Sequence, residues 1–557
     1  MTDVAGDVAG EVAGDVAGEV AVIDTAIEPA EPSSKAVSWL RERGRSFADL
    51  IRSMHPAAVL VGLAVAVFAL VFGSLGVMNQ RNFGTWSYDM GIYDQGFWLV
   101  SRGEQFMSVR GLNFWGHHVN VIAFAFAPAY WLGAGPEFLY VVQAIGLALG
   151  AIPTYLIARD KLRSPWWGLL FAVVYLMYAP VQWISWAMFH PEALVIAPFL
   201  FAWWFATKER WGWFFAMLLL ALSTREDVAL AVIMLGLVLA IYMRRAPDYR
   251  RVLQRCGATV LLGAVWYVVA TKLVLPYYND GKSPFYITYF YGNYGNDTAE
   301  ILRTIVTHPN RVVSDAVQHD RIVFYKQMSW PMGWVYLANP LGLLMALPQL
   351  LASVIGLSPY ARIIRYQYTS VMIAPMVIAS IHGAHILLKV RALRAVLPIW
   401  MLLCSFTSNV AWAPSPLGED ANYYVWSRDH PRHDSLRTAL TYIPDDASVA
   451  ASYQLVPHLS HRREVYDWPN PFWASVWGND DCDHLPDPQT VEYVALDLTQ
   501  IGANNQLLFE NMSKPGGPFE TVFRDDNVIV LHRVGTSAQV DVQPQAESCA
   551  ILKARYG

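Results

Sequence analysis

Residues 57–77, 138–158 and 166–188 each run for 21 to 23 positions without one Asp, Glu, Lys or Arg. A helix rises about 1.5 Å per residue, so about 20 apolar residues cross the hydrocarbon core of a bilayer. Lipid offers the backbone no water, and a helix satisfies its own N–H and C=O groups within one segment. Each run therefore reads as a transmembrane helix. Length points elsewhere, since 557 residues would suggest about three or four soluble domains. Composition decides against that. Hydrophobic residues make up 55% and charged residues 15%, against about 25% charged in a soluble chain. So few charges cannot coat a globule of this size, which excludes a soluble enzyme. The long unbroken apolar runs equally exclude a β-barrel, whose strands alternate.

The first 34 residues hold eight acids and no base, so the net charge of −5 says little about partners. No Lys/Arg-rich run suggests nucleic acid. Arg supplies 31 of the 40 basic residues, a bias associated with GC-rich bacterial genomes. Residues 2–19 repeat a four-residue unit with an acid at 3, 7, 11, 15 and 19. A Gly in every repeat costs about 1 kcal/mol against Ala in a helix, and stacked like charges add to that. Residues 1–35 are thus expected to be a disordered acidic tail. Without a basic start leading straight into an apolar stretch, it is not a signal peptide. Arg41, Arg43, Arg45 and Arg52 precede the first span, which predicts a cytoplasmic N-terminus.

From there charge parity carries the topology. Basic residues follow the expected spans 138–158, 193–207, 228–243 and 371–388, placing those ends inside. The remaining spans, 57–77, 166–188, 211–224, 256–275 and 395–412, end outside. A short pair, 321–338 and 341–356, breaks at Asn339-Pro340. The reading is an α-helical polytopic protein of the plasma membrane with about eleven transmembrane helices. The transmembrane module covers 36–414 and carries an outer loop at 78–137. Residues 120–133 are apolar enough to span, but a span there would invert Arg159, Lys161 and Arg163. A helix lying along the outer surface is the expectation.

Residues 415–557 turn polar after Pro414 and Pro416 and read as an extracytoplasmic α/β domain. A helix is expected at 435–442, short strands at 448–452, 464–468 and 491–496, and a hairpin from 519–523 and 528–533. Cys482 and Cys549 both fall in this exported part, where a disulfide is chemically permitted. Cys256 and Cys404 sit in apolar helices, and no Cys/His spacing matches a zinc site.

Ionisable residues near membrane ends gather on the outer side: Asp89, Asp94, His117, His118, His190, Glu192, Arg225, Glu226 and Asp227. Carboxylates close to hydrocarbon are expensive and face a cavity or a partner. Asp89 and Asp94 are five apart and do not share a helical face, so they have different tasks. Aromatic neighbours would strip water from Asp89, a setting that suits a general base; alternatively Asp89 starts the following helix as its N-cap. His117, His118, His190 and Glu192 are compatible with a divalent metal, although their spacing shows no ligand motif.

The segments Tyr88-Asp89-Met90-Gly91-Ile92-Tyr93-Asp94-Gln95, Phe189-His190-Pro191-Glu192, Arg225-Glu226-Asp227 and Leu347-Pro348-Gln349-Leu350-Leu351 resemble a bacterial polytopic family filed as domain of unknown function 2079. Ile443 to Ser452 and Val456 to Arg462 continue the resemblance, which runs from about residue 80 to 530. That family is similar to the GT-C glycosyltransferases. The resemblance implies a GT-C-like membrane module with Asp89 as catalytic base, a polyprenyl-phosphate sugar donor, and a glycan, lipid or protein acceptor on the outer face. Arg225 replaces the family's Lys or neutral residue before Glu-Asp, and Gln367 stands where a His is habitual. Arg225, Arg362 and Arg365 would bind the leaving phosphate, unless Arg362 and Arg365 are lipid-interface anchors, while His190 and Glu192 would orient sugar hydroxyls or cap the following helix. In the exported domain Trp468, Trp473 and Trp477 either stack on sugar rings or form its core. The rival class is a lipid-linked sugar or small-solute transporter, which predicts inverted repeats and mid-membrane charges; no similarity relates the two halves of the chain. A non-catalytic scaffold would leave the outer cluster unexplained.

Overall fold

A computed structural model describes residues 53–282, 284–418, 426–478 and 485–535. The membrane helices and the sheets all belong to one compact unit that begins at His55. The acidic tail, Cys482 and Cys549 lie outside the described residues.

Among the described residues, five helices are long and apolar enough to cross a membrane: Pro56–Arg81, Pro136–Leu162, Tyr249–Tyr278, Gln367–Leu387 and Leu393–Trp412. Leu63 is 60% and Leu70 69% exposed on the first of these, a surface that is stable only against hydrocarbon. Gln367–Leu387 is the opposite case, with 83% of its apolar window buried, and forms the centre of the bundle. Its Ile373, Val377, Ala379 and Ile381 pack into one cluster with Phe171, Leu200, Trp203 and Leu235. The expected span 166–188 is a bent pair, Pro165–Leu176 and Ala179–Trp186, angled by 46°. Pro180, in the first turn of the second half, has no N–H to continue the preceding ladder.

Four further apolar helices, Pro191–Thr207, Trp211–Leu222, Val228–Tyr242 and Pro340–Ile355, are shorter. At about 1.5 Å per residue they fall short of a full crossing. One expected span is not a helix of that kind at all. Residues 321–338 hold the end of His319–Ser329 and then two tight turns, Trp330–Met332 and Val335–Ala338. Gly333 and Trp334 both adopt positive φ, 62° and 59°, which no continuing helix tolerates. Of the eleven expected spans, five, plus the bent pair, are helices long and apolar enough to cross a membrane among the described residues. Residues 78–137 contain a short apolar helix, Ala123–Trp131, with Phe124 and Trp131 exposed on it.

Two short strands, β1 (Phe106–Met107) and β2 (Leu112–Asn113), pair within the outer loop. The C-terminal region forms a five-stranded sheet from β3 (Val449–Ala451), β4 (Val465–Asp467), β5 (Tyr493–Asp497), β6 (Phe519–Asp525) and β7 (Val528–Arg533). Its order is β4-β3-β5-β7-β6. The first three strands run parallel, and β7 pairs antiparallel with both β5 and β6. The expected strands and hairpin are present, and the expected helix appears as Pro431–Leu440. Asp525 pairs with Val528, leaving a two-residue turn in which Asp526 takes φ 49°; Asp is one of the few residues that suits such a position.

This sheet shares its core with the segment around residues 90–97. Met90, Ile92, Tyr93 and Phe97 pack in one cluster with Val449, Leu455, Val456, Val465 and Val530. Polar bonds reinforce the contact. Ser87 N donates to the Tyr453 carbonyl at 2.8 Å, and Gln95 Nε2 donates to the Arg462 carbonyl at 3.0 Å. Val465 N donates to Ser108 Oγ at 2.9 Å.

Candidate active site

Trp86 and Tyr88 are extended, Asp89 turns back, and a regular helix begins at Ile92. Asp89 adopts φ 67°, ψ −74°, close to a γ-turn that is rare and strained for any L-residue. The helix Ile92–Val100 starts at Gly91 with no side-chain cap, so Asp89 does not serve as its N-cap. A Cβ on Gly91 would meet Val456 at 3.1 Å, which shows how closely the turn sits on the C-terminal region. Strain of this kind persists where the surroundings over-determine it, and it concentrates at active sites.

The Asp89 carboxylate lies 3.1 Å from His190 Nε2, with Asp89 31% exposed and His190 3%. His190 is held from two further directions. Its Nδ1–H donates to the Met188 carbonyl at 2.7 Å, and its backbone N–H donates to Gln143 Oε1 at 2.9 Å. Gln143 completes the clamp by donating to the Ile184 and Ala187 carbonyls, both at 2.8 Å. Burial opposes a charged imidazolium, but Asp89, Glu192 and the Met188 carbonyl together outweigh it and raise the His190 pKa above the ordinary value.

Arg225 and Glu226 lie in the turn between Trp211–Leu222 and Val228–Tyr242. Arg225 forks onto Asp227 at 2.7 and 2.5 Å and bonds Glu192 through Nη1. Glu192 is 1% exposed, and its Oε2 has no hydrogen-bond partner among the described residues. Glu226 accepts from Val119 N at 3.0 Å and faces His118 Nδ1 at 2.8 Å. Burial would raise the Glu226 pKa, yet His118 and Arg225 pull it well down, so Glu226 stays ionised. His117 goes the other way. Burial, with His118 and nearby arginines, pushes its pKa well below the ordinary histidine value, leaving it neutral. Tyr93 joins the two halves, its ring 5.4 Å from His190 and 6.0 Å from His117.

The fold thus assembles Asp89, His117, His118, His190, Glu192, Arg225, Glu226 and Asp227 into one continuous polar patch. It leaves others out. Asp94 is fully buried on the far side of the segment, accepting from Tyr130 at 2.7 Å and Ser460 at 2.5 Å, with His461 Nε2 at 3.0 Å. A cleft of about 1720 Å³ opens on that side, lined by Asp94, Gly73, Arg81, Glu137 and His461. Arg362 is buried, bonded to Asp320 at 2.6 Å and to the Ser353 and Gly356 carbonyls at 3.2 and 2.6 Å. Its guanidinium is engaged in shaping that loop. Arg365 is exposed and lies 4.5 Å over the Trp183 ring. The four groups considered for a metal also part company. His190 faces Asp89, His118 faces Glu226, and Glu192 faces Arg225. Among the described residues no three His, Cys, Asp or Glu side chains converge on a metal position.

A family profile described as predicted membrane protein (DUF2079) matches residues 81–530, well over half the chain. The chain belongs to this family. The match takes in the Asp89 turn, the whole polar patch and the C-terminal sheet of this DUF2079 protein. No curated protein sequence matches it. Among solved structures, ArnT from Cupriavidus metallidurans bound to undecaprenyl phosphate is similar at 13% identity, with a TM-score of 0.48. That alignment covers 86% of this chain and 99% of that one.

Three residues of this DUF2079 site carried little sequence signal. Gln143 is legible only as a lone amide inside a charge-free span. Arg110, buried with its guanidinium 5.4 Å over the Tyr88 ring, and Tyr453, whose ring stacks 5.8 Å from Trp86, belong to no motif.

Proposed function

We propose that this DUF2079 protein is a membrane glycosyltransferase of the GT-C type. It moves a sugar from a polyprenyl-phosphate donor to a glycan, lipid or protein acceptor on the outer face of the plasma membrane, with inversion. The observation that carries this reading is the Asp89–His190 pair. A carboxylate on a strained turn stays partly exposed, while the group that fixes its direction is buried. Such preorganisation suits a base that must meet one hydroxyl in one orientation.

In the proposed step the acceptor hydroxyl oxygen attacks the anomeric carbon. The carbon–oxygen bond to the lipid phosphate breaks, and its electrons leave with the phosphate. The acceptor's proton passes to Asp89. Phosphate departs without protonation, so one carboxylate suffices where a glycosidase uses two. Glu192 Oε2, buried and without a partner among the described residues, supports a role in accepting a sugar hydroxyl. Arg225 is already neutralised by Glu192 and Asp227, and Arg362 is engaged by carbonyls. Arg365 is exposed over Trp183, and a guanidinium at that position can meet phosphate oxygens. A transporter reading has less support, because the ionisable patch collects at one end of the helices rather than along a path through them.

The direct test incubates purified protein with radiolabelled polyprenyl-phosphate sugars and follows transfer to membrane glycans. Transfer by wild type and its loss in Asp89→Asn support the reading; equal transfer by folded Asp89→Asn protein overturns the role of Asp89.

A further inference from the structure

The helices Pro56–Arg81 and Pro136–Leu162 pack side by side, with Phe72, Ala144 and Leu147 in one apolar cluster. Along one edge they part, and the cleft of about 1720 Å³ that Asp94 lines opens there. Leu70, Ser74, Val77 and Arg81 line it from the first helix, and Glu137, Val141 and Ile145 from the second. Each set follows helical spacing, so each helix turns one face to the cleft. Leu70, Ser74, Val141 and Ile145 are exposed. On a membrane span such a surface meets hydrocarbon, so this part of the cleft is open sideways to a lipid chain.

The end of the cleft that charge parity assigns to the outer face carries both signs of charge. Arg81 Nε lies 2.6 Å from Glu137 Oε1, and Arg437 Nη2 lies 2.8 Å from Asp429 Oδ1. Arg437 also donates to Asn82 Oδ1 at 3.0 Å, so the two pairs adjoin at the end of the first span. All four side chains line the cleft and are between 39% and 69% exposed. Exposed ion pairs of this kind contribute little stability, so their partners turn to a ligand at small cost. Hydrocarbon below and alternating cations and carboxylates above match a zwitterionic phospholipid. Its phosphate accepts from the two guanidiniums, and a primary ammonium donates to the two carboxylates. Asp89 does not line the cleft, so a lipid seated here is not placed to give up a sugar beside it. The cleft instead reaches Ser460 and His461, which hold Asp94 where the outer loop meets the C-terminal region.

We propose that this cleft seats phosphatidylethanolamine as a resident lipid that braces the Asp94 junction. The proposal does not depend on the transferase reading. The test uses full-length protein, delipidated in detergent, and native mass spectrometry with phosphatidylethanolamine, phosphatidylglycerol and phosphatidylcholine of the same acyl chains. Phosphatidylglycerol lacks the ammonium, and the quaternary nitrogen of phosphatidylcholine has no N–H to donate. Wild type should retain phosphatidylethanolamine at about tenfold lower concentration than either, the worth of one charge-assisted hydrogen bond. Ser74→Trp fills the groove and should abolish the preference. Leu63→Trp, exposed on the same helix but outside the cleft, should keep it. Arg81→Gln should weaken retention about tenfold, and it decides the matter where Ser74→Trp does not fold. Bound lipid should slow amide exchange at residues 456–462. Equal retention of the three lipids, a preference for phosphatidylglycerol, a preference that survives in either folded cleft variant, or displacement by an equimolar polyprenyl phosphate would overturn the seat. Unchanged exchange with lipid bound would overturn the bracing.

Discussion

Asp89 Oδ1 lies 3.1 Å from Nε2 of His190, and Nδ1 of the same ring faces the Met188 carbonyl at 2.7 Å. A carbonyl can only accept, so Nδ1 carries a proton, and the carboxylate favours a second proton on Nε2. His190 is therefore a positively charged strut that aims the Asp89 carboxylate and leaves its second oxygen for a substrate.

Asp89→Asn should lower sugar transfer by about 10²–10⁴-fold, the usual contribution of a general base. Stability should fall only at pH values where the Asp89–His190 charge pair contributes, because Asn tolerates positive φ better than most residues. The strain gives an independent check. Asp89→Gly should be about 1–2 kcal/mol more stable than Asp89→Ala, since only Gly takes φ 67° without penalty. Chemical unfolding in detergent measures the gap, and equal stabilities would mean that the turn relaxes.

His190 predicts a pH dependence of known sign. Its folded pKa is raised, so the stabilisation is fully present below about pH 6.5, the value of an unfolded histidine. It is lost as pH rises through the higher folded value. Gln at this position can still donate to Asp89 but cannot titrate. The difference in melting temperature between wild type and His190→Gln should shrink from pH 6 toward pH 9; a gap that does not change with pH contradicts the charged pair.

Replacing Arg225 by Leu should destabilise the protein by about 3–5 kcal/mol, because buried Glu192 keeps an uncompensated charge. Removing that charge as well, in Arg225→Leu/Glu192→Leu, should recover much of the loss. Thermal unfolding of the single and double variants checks this, and a double variant no better than the single one would show that packing, not charge, is at stake.

Asp94→Asn tests the far side of the same segment. It leaves the Tyr130 and Ser460 donors short of one carboxylate oxygen beside the His461 ring, which should cost about 1–3 kcal/mol. Amide exchange should quicken around residues 456–462, where the outer loop meets the C-terminal region. Unchanged exchange there would remove Asp94 from that junction.

Sidedness is open to labelling. Cysteine at Ser164 should react with an impermeant reagent only from the cytoplasm, and cysteine at exposed Lys514 only from outside. Reaction of both from one side would overturn the charge-parity topology.

The spans were legible because lipid imposes a length and a composition that a bare sequence displays, and the short strands 449–451, 465–467 and 528–533, bounded by turn residues, emerged for a similar local reason. Asp89 and Asp94 do serve different places, but not for the helical-face reason, because Asp89 lies on the strained turn before the helix that begins at Ile92. Residues 321–338 misled because their apolar content hides the backbone reversal at Gly333-Trp334, which depends on φ values that composition does not reveal. Arg362 looked like a phosphate ligand for a related reason. Its charge is visible in the sequence, but the carbonyls that surround it are not. Hydrophobic periodicity and charge bias, which act between near neighbours, thus determined that this chain is a polytopic membrane protein with an α/β region after it and carboxylates at one end of its helices. Only the tertiary structure decided that His190, Gln143 and Tyr453 surround Asp89, because those contacts join segments that are far apart in the chain, and packing rather than local preference brings them together.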